Sequence, residues 1–151
     1  MEPIAETPAP SFFDFSLFGW PLTGLVTLFA LAVYLWLGYN VGKARKTYNV
    51  PAPAMQGPEP FLCIMRAHLN TLEQLALFLP LLWMAALSSR DEVAALIGFF
   101  WPVSRILYAL GYIKEPRQRF TGFLMGIGVL GLLFLISAVQ MVQSLFFFQG
   151  N

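Results

Sequence analysis

The sequence predicts an all-α protein, a bundle of four helices embedded in a membrane. Hydrophobic residues make up 58% of the 151 positions and charged residues only 11%, whereas soluble domains are typically about 25% charged. A helix that crosses a membrane needs about 20 largely apolar residues. Four stretches reach that length: Leu17–Val41, Phe61–Leu87, Val93–Ile113 and Phe120–Phe148. They predict one domain over residues 17–148, preceded by an irregular, proline-rich and acidic segment over residues 1–16.

The first stretch is predicted to be a membrane helix and not a removable signal peptide. It is too long for a signal peptide, and the acidic residues Glu2, Glu6 and Asp14 stand where a signal peptide carries basic ones. The pair Trp20-Pro21 opens the helix, because proline lacks an N–H group that the first helical turn would leave unpaired.

The connections before and after the second helix differ in length and composition. Residues 48–60, with four prolines and a glycine, predict an ordered or extended connector. Residues 88–92 form a short connection that carries N-cap residues for the third helix.

The fourth helix contains two glycines one turn apart. Gly122 and Gly126 have the spacing that allows a neighbouring helix to approach closely. Beyond this helix, residues 149–151 resemble the remnant of a cleavable tag, so they are given no functional role.

The distribution of basic residues predicts the orientation in the membrane. Seven of them lie in or near the first and third connections: Lys43, Arg45, Lys46, Arg66, Lys114, Arg117 and Arg119. The opposite side has Arg90 and five acidic residues. Cytoplasmic connections carry the excess of lysine and arginine, so both of these connections are predicted to be cytoplasmic and both termini to lie outside. A bacterial inner membrane and the endoplasmic reticulum both remain open.

The second helix carries three polar side chains within an apolar stretch. Arg66, Asn70 and Glu73 are spaced i, i+4, i+7 and therefore share one helical face. A charged group at membrane depth costs at least about 2.5 kcal/mol, so such groups usually face other helices or a wet cavity. This stripe predicts a polar site between helices. An alternative is a structural ion pair between Arg66 and Glu73 that joins helices.

The third helix carries a second polar stripe, formed by Arg105, Tyr108 and Tyr112. With Arg45 at the end of the first helix and Arg119 before the fourth, four arginines surround one acid, Glu73. Arginine offers a fork of donors suited to carboxylates. The pattern predicts a pocket for a small anionic or zwitterionic molecule with several carboxylates. Alternatively, the two tyrosines belong to the aromatic belt at the membrane surface.

The remaining reactive residue types predict no further chemistry. His68 projects away from the Arg66 stripe, and it is expected to make helix contacts. Cys63, the single cysteine, is expected to fill apolar space. With no second histidine and no cysteine cluster, no metal site is expected, and we expect no nucleic-acid partner.

Several strings resemble the MAPEG family, the membrane-associated proteins in eicosanoid and glutathione metabolism. They are Ala44-Arg45-Lys46, the segment RAHLNTLE over residues 66–73, and Arg105-x-x-Tyr108-x-x-Gly111-Tyr112 followed by Arg119. The resemblance covers about residues 17–140 and is closest to the microsomal glutathione transferases. It implies a homotrimer of four-helix subunits that binds glutathione between subunits, near the cytoplasmic face.

The same resemblance implies roles for individual residues. The implied glutathione ligands are Arg45, Arg66, Asn70, Glu73, Gln74, Arg105, Tyr108 and Tyr112. Gln74 stands where some members have a tyrosine. Arg119 matches the arginine taken to stabilise the glutathione thiolate, and a cation beside a thiol lowers its pKa from about 8.5.

The implied function is a glutathione transferase acting on lipophilic electrophiles that enter from the membrane lipid, with glutathione as co-substrate and glutathione peroxidase as a second activity. The alternative is a non-catalytic lipid-binding or scaffold member of the same family. The joint presence of Arg66, Asn70, Glu73 and Arg119 favours the enzyme, because a scaffold needs no thiolate stabiliser.

Overall fold

A computed structural model describes residues 19–149, with side chains through residue 146. It contains four long helices and one short 3-10 turn: α1 (Pro21–Thr47), α2 (Glu59–Ser88), α3 (Asp91–Lys114), the turn Pro116–Gln118, and α4 (Arg119–Gln149). Each long helix is long and apolar enough to cross a membrane. The predicted all-α, four-helix fold is therefore confirmed. The predicted irregular segment 1–16, the predicted start of the first helix at Leu17 and the last two residues of the tail lie outside the described residues.

Helix α1 continues past Val41, where the predicted membrane-spanning stretch ends, to Thr47. The prediction stopped where the apolar run stops, but basic side chains are favourable in a last helical turn, where the helix dipole is negative. Arg45 and Lys46 occupy that turn. Ala44, just before them, is buried in a cluster with Val41, Val50, Phe61 and Met65, so packing extends the helix beyond its apolar stretch.

The inside of the bundle is packed with apolar side chains, and its outside is apolar as well. A large cluster includes Leu82, Leu133 and the stacked rings of Phe78 and Trp101, whose centroids are 4.2 Å apart. On the outer surface, large side chains such as Leu35 are 71% exposed in this single chain. Apolar side chains facing outward along four long helices fit a lipid surrounding.

The first residue of α3 is a capping residue, but it does not cap the helix that the sequence suggested. The N-cap prediction for α3 is wrong, because Arg90 occupies that position and makes no side-chain capping bond. Instead, the Asp91 carboxylate accepts the backbone N–H groups of Leu22 and Thr23, each at 2.9 Å. A carboxylate at a helix N-terminus satisfies free N–H groups and complements the helix dipole. Asp91 therefore caps α1 and ties it to the start of α3.

His68 and Cys63 have the packing roles predicted for them. The His68 ring stacks on Tyr34 of α1, with centroids 4.7 Å apart. Cys63 is buried in a cluster with Leu37 and Ala67.

Candidate functional site

A cavity of about 590 Å³ opens at the end of the bundle where α1 and α3 finish and α2 and α4 begin. We call this the basic end, because the connections 48–58 and 115–118 and the basic residues beside them lie there. Twelve side chains line the cavity. We call the polar ones its polar wall: Arg66, Asn70, Glu73, Tyr108, Tyr112 and Arg119. We call the apolar ones its apolar wall, although α2 contributes to both sets: Met55, Leu62, Met65, Leu69, Phe120 and Phe123. The structure thus brings together six of the predicted site residues.

Helix α2 supplies three of the polar side chains from one face, as its spacing predicted. Arg66 and Glu73 are exposed at the cavity, and Asn70 Nδ2 donates to Glu73 Oε2 at 3.4 Å. Among the side chains that the structure describes, the arginine and carboxylate that lie within 4 Å of each other are Arg90 and Glu92, at the opposite end of the bundle. The structure therefore does not support a structural ion pair between Arg66 and Glu73, and both charges face the cavity.

Helix α3 supplies the two tyrosines from inside the bundle. Tyr108 is 5% exposed and Tyr112 is 6% exposed, and their rings meet edge to face with centroids 5.6 Å apart. Both pack in one cluster with Val33 and Leu37 of α1. The belt interpretation is not supported, since belt residues would lie on the outer surface.

The chain folds back sharply to place Arg119 beside these tyrosines. A Cβ at Gly111 would lie only 2.6 Å from the backbone oxygen of Gln118, so a glycine permits the close return of the chain after α3. The 3-10 turn Pro116–Gln118 makes the reversal. The Arg119 guanidinium then lies over the Tyr112 ring, with its carbon 4.6 Å from the ring centroid, within the range of a cation–π contact.

Three residues predicted as ligands do not line the cavity in this chain. Arg45 instead donates to the backbone oxygen of Ala54 at 2.8 Å, and its guanidinium lies 5.4 Å from the centroid of the Phe61 ring. It thus holds the connection after α1 in place. Gln74 is 6% exposed, and its Oε1 has no hydrogen-bond partner within the described part of the chain. Arg105 is fully buried behind the cavity wall. Direct ligand contact by these three side chains stays a prediction.

Sequence reasoning missed the apolar wall of the cavity. Leu62 and Leu69 share a helical face with Arg66, at i−4 and i+3, so helical spacing carried a signal for them. Phe120 and Phe123 lie one residue and one turn beyond Arg119. Met55 had no such signal, because its position depends on how the first connection folds.

The cavity combines two chemistries in one space. Arg66, Arg119 and the Asn70 amide supply donors suited to carboxylates, and Glu73 supplies an acceptor for an ammonium group. The apolar wall suits a nonpolar molecule. Among residues 19–146, no group of three histidine, cysteine or acidic side chains is placed to hold a metal ion.

The helices and this cavity define an integral, multi-pass membrane protein with a mixed polar and apolar site at one end of a helical bundle. The chain belongs to the MAPEG family, whose model matches residues 23–139, so the predicted resemblance is confirmed. An uncharacterized protein of Synechocystis sp. is 46% identical over 107 residues, which is 71% of this chain and 77% of that protein.

Other relatives have names that state an activity. The microsomal glutathione S-transferase 2 of Homo sapiens is 32% identical over 123 residues, covering 82% of this chain and 84% of that protein. The leukotriene C4 synthase of Mus musculus is 31% identical over 121 residues, covering 80% of this chain and 81% of that protein.

Proposed function

We propose that this protein is a membrane-bound glutathione transferase that joins the glutathione thiolate to lipophilic electrophiles. One observation carries the proposal: a single cavity is lined both by the polar side chains Arg66, Asn70, Glu73, Tyr108, Tyr112 and Arg119 and by six apolar side chains. Family membership and the names of two relatives support glutathione as the thiol.

Glutathione fits the polar wall by charge and by size. It carries two carboxylates, one ammonium group and one thiol. Arg66 matches a carboxylate, Arg119 matches the thiolate, and Glu73 matches the ammonium group. The cavity volume of about 590 Å³ falls within the range of about 300–1,000 Å³ that small-molecule sites occupy.

The reaction follows from the two walls. Arg119 stabilises the thiolate, which is the nucleophile, by lowering the pKa of the bound thiol. The sulfur forms a bond to an electrophilic carbon lying along Phe120 and Phe123, and the leaving group departs with the electrons of the broken bond. With a peroxide, two glutathione molecules are oxidised to the disulfide while the peroxide is reduced to an alcohol and water.

The proposal includes an assembly and an orientation. Arg66 and Glu73 are exposed in the single chain, and charged groups facing lipid are costly, so a homotrimer whose subunit contacts close the cavity would remove that cost. The basic end faces the cytoplasm by the charge rule for connections. Glutathione then enters from the aqueous side and the electrophile from the lipid.

Protein purified in detergent tests the proposal directly. Calorimetry should show binding of glutathione, and the ultraviolet absorbance of the thiolate should rise on binding. Conjugation should then be measured with a chlorinated nitrobenzene, in which chloride is the leaving group.

Arg66→Ala should bind glutathione more weakly, whereas Arg90→Ala is the matched control, since its side chain is 75% exposed at the opposite end of the bundle. A wild type that binds glutathione without turnover of several electrophiles and peroxides would indicate the scaffold alternative. A wild type that does not bind glutathione would overturn the proposal.

A further inference from the structure

We infer that Arg105 is a positioning residue, whose buried guanidinium fixes the Asn70 side chain so that its NH₂ group is directed to the cavity. The ligand group that meets Asn70 must then be a hydrogen-bond acceptor, a carboxylate or carbonyl oxygen. This inference rests on the proposed function for the identity of the ligand, and on the contacts of Arg105 for the role of the residue.

Arg105 is a buried cation with neutral neighbours. It is 0% exposed, and among residues 19–146 no carboxylate lies within 4 Å of it. Burying a charge is costly unless hydrogen bonds and partners offset the loss of water. Its contacts are Asn70 Oδ1 at 3.3 Å, the Gly122 backbone oxygen at 3.1 Å, Ser104 Oγ at 3.3 Å, the Tyr108 ring centroid at 4.9 Å and the Trp101 ring centroid at 5.7 Å.

Gly126 of α4 makes room for this guanidinium, and Gly122 lets the backbones of α3 and α4 approach closely. A Cβ at Gly126 would overlap Arg105 Nη2 and would lie 2.9 Å from Ser104 Oγ. A Cβ at Gly122 would overlap the Tyr108 backbone nitrogen and would lie 2.7 Å from the Ser104 backbone oxygen. The close approach predicted from the glycine spacing is confirmed, and its consequence is a slot between α3 and α4 that holds the arginine.

The donor chemistry of arginine determines which way the Asn70 amide points. A guanidinium has five N–H donors and no acceptor, so only Oδ1 of Asn70 can face Arg105 Nη1. The opposite end, Nδ2, then lies toward Glu73, to which it donates at 3.4 Å. Nδ2 carries two hydrogens, and Asn70 lines the cavity. Its second hydrogen is therefore available to a ligand acceptor.

Gly126→Ala tests this role without altering the charge or any ligand-facing side chain. The added methyl should displace the guanidinium from its slot and free the Asn70 amide to turn. Gly128→Ala is the matched control, because a Cβ at Gly128 meets no atom within 4 Å, and both changes add the same helix propensity. The expected result for Gly126→Ala is a dissociation constant for glutathione raised about tenfold, which is about 1.4 kcal/mol. The turnover rate at saturating glutathione should stay close to that of the control.

Asn70→Asp provides a second test that does not depend on how α4 accommodates a methyl group. Aspartate keeps an acceptor for Arg105 and gives this buried cation a charged partner. That attraction exceeds the repulsion from the Glu73 carboxylate, which is exposed and screened by water, so the temperature of unfolding in detergent should equal or exceed that of the wild type. It removes the Nδ2 donor, so glutathione affinity should fall by about tenfold or more. Asn70→Ala removes the acceptor as well, and it should unfold at a lower temperature than Asn70→Asp.

Each result either supports or overturns the inference. Equal glutathione affinity in folded Gly126→Ala and Gly128→Ala would overturn it, as would wild-type affinity in Asn70→Asp. Equal unfolding temperatures for Asn70→Asp and Asn70→Ala would refute the Arg105–Asn70 bond whether or not glutathione binds. A failure of the proposed function is separate and visible in the wild type, which would then show no glutathione binding.

Discussion

Replacing Arg119 by alanine should slow conjugation by raising the pKa of the bound thiol. Arg119 is exposed at the cavity with its guanidinium carbon 4.6 Å from the Tyr112 ring centroid. Within the described side chains, it has no carboxylate partner within 4 Å. Its positive charge is therefore not neutralised by a neighbouring carboxylate and can act on an anion bound against the polar wall.

The size of this pKa shift depends on how much water reaches Arg119 and the thiolate. A cation and a thiolate about 4 Å apart attract each other by about 1 kcal/mol in bulk water and by about 4 kcal/mol at an effective dielectric constant of about 20. Each pKa unit corresponds to about 1.36 kcal/mol. Because Arg119 is exposed, the lower part of this range applies, and we expect the pKa of the thiol to rise by about one unit. At neutral pH the thiolate fraction, and with it the turnover rate, should then fall about tenfold.

The assay compares rate–pH profiles with a chlorinated nitrobenzene at saturating glutathione. The profile of Arg119→Ala should shift toward alkaline pH and approach the wild-type rate once the thiol is ionised in both proteins. Glutathione affinity should change little, because the charge acts mainly in the chemical step. Arg119→Lys should recover part of the rate, since it keeps the charge but loses the fork geometry.

Arg90→Ala serves as the control for the loss of an arginine, because Arg90 is an exposed side chain far from the cavity. Its profile should match that of the wild type. Identical profiles for the wild type and Arg119→Ala would refute the catalytic role and leave Arg119 as an anchor of α4 at the membrane surface.

Three further predictions concern affinity, assembly and stability. Arg66→Ala should weaken glutathione binding by about 1.5–3 kcal/mol, the value of a hydrogen bond to a charged group; unchanged affinity by calorimetry in the folded variant would remove Arg66 from the site. Mass measurement in mild detergent should give three subunits per particle, and a stable, active monomer would contradict the assembly. Asp91→Ala should destabilise the protein by about 1–2 kcal/mol, because α1 loses its cap, while glutathione affinity stays constant at the other end of the bundle. An unchanged unfolding temperature would show that the two bonds from Leu22 and Thr23 contribute little.

The helices could be predicted from the sequence because a membrane imposes a strong and simple requirement. A spanning segment must satisfy its own backbone hydrogen bonds and present apolar side chains over about 20 residues. Composition alone reveals such segments. Apolar composition does not reveal where a helix ends, because a helix can extend beyond the membrane into polar sequence. Helix α1, for example, continues to Thr47 through the basic residues Arg45 and Lys46.

Residues of the site that lie along one helix could be predicted to share a face. Contacts between residues of different helices or connections could not be predicted. The spacing of Arg66, Asn70 and Glu73 determines their shared face, since helical geometry is fixed. No spacing rule indicates that the Asp91 carboxylate lies beside the start of α1, 69 residues from Leu22 in the chain. The same limit applies to Met55, whose place in the cavity wall depends on the fold of the first connection.

Arg105 and Arg119 show how packing separates residues that are alike in sequence. Arg105 precedes Tyr108 in the sequence and Arg119 follows Tyr112. The family resemblance implies that both arginines contact glutathione. Arg105 lies against Gly126 of α4 and is fully buried, and all three of its hydrogen bonds go to protein atoms. Arg119 is exposed at the cavity, where its guanidinium lies over the Tyr112 ring. A buried cation bonded to protein atoms can orient a neighbour, whereas a cation exposed at the cavity can stabilise a bound anion, so the two arginines are suited to different tasks.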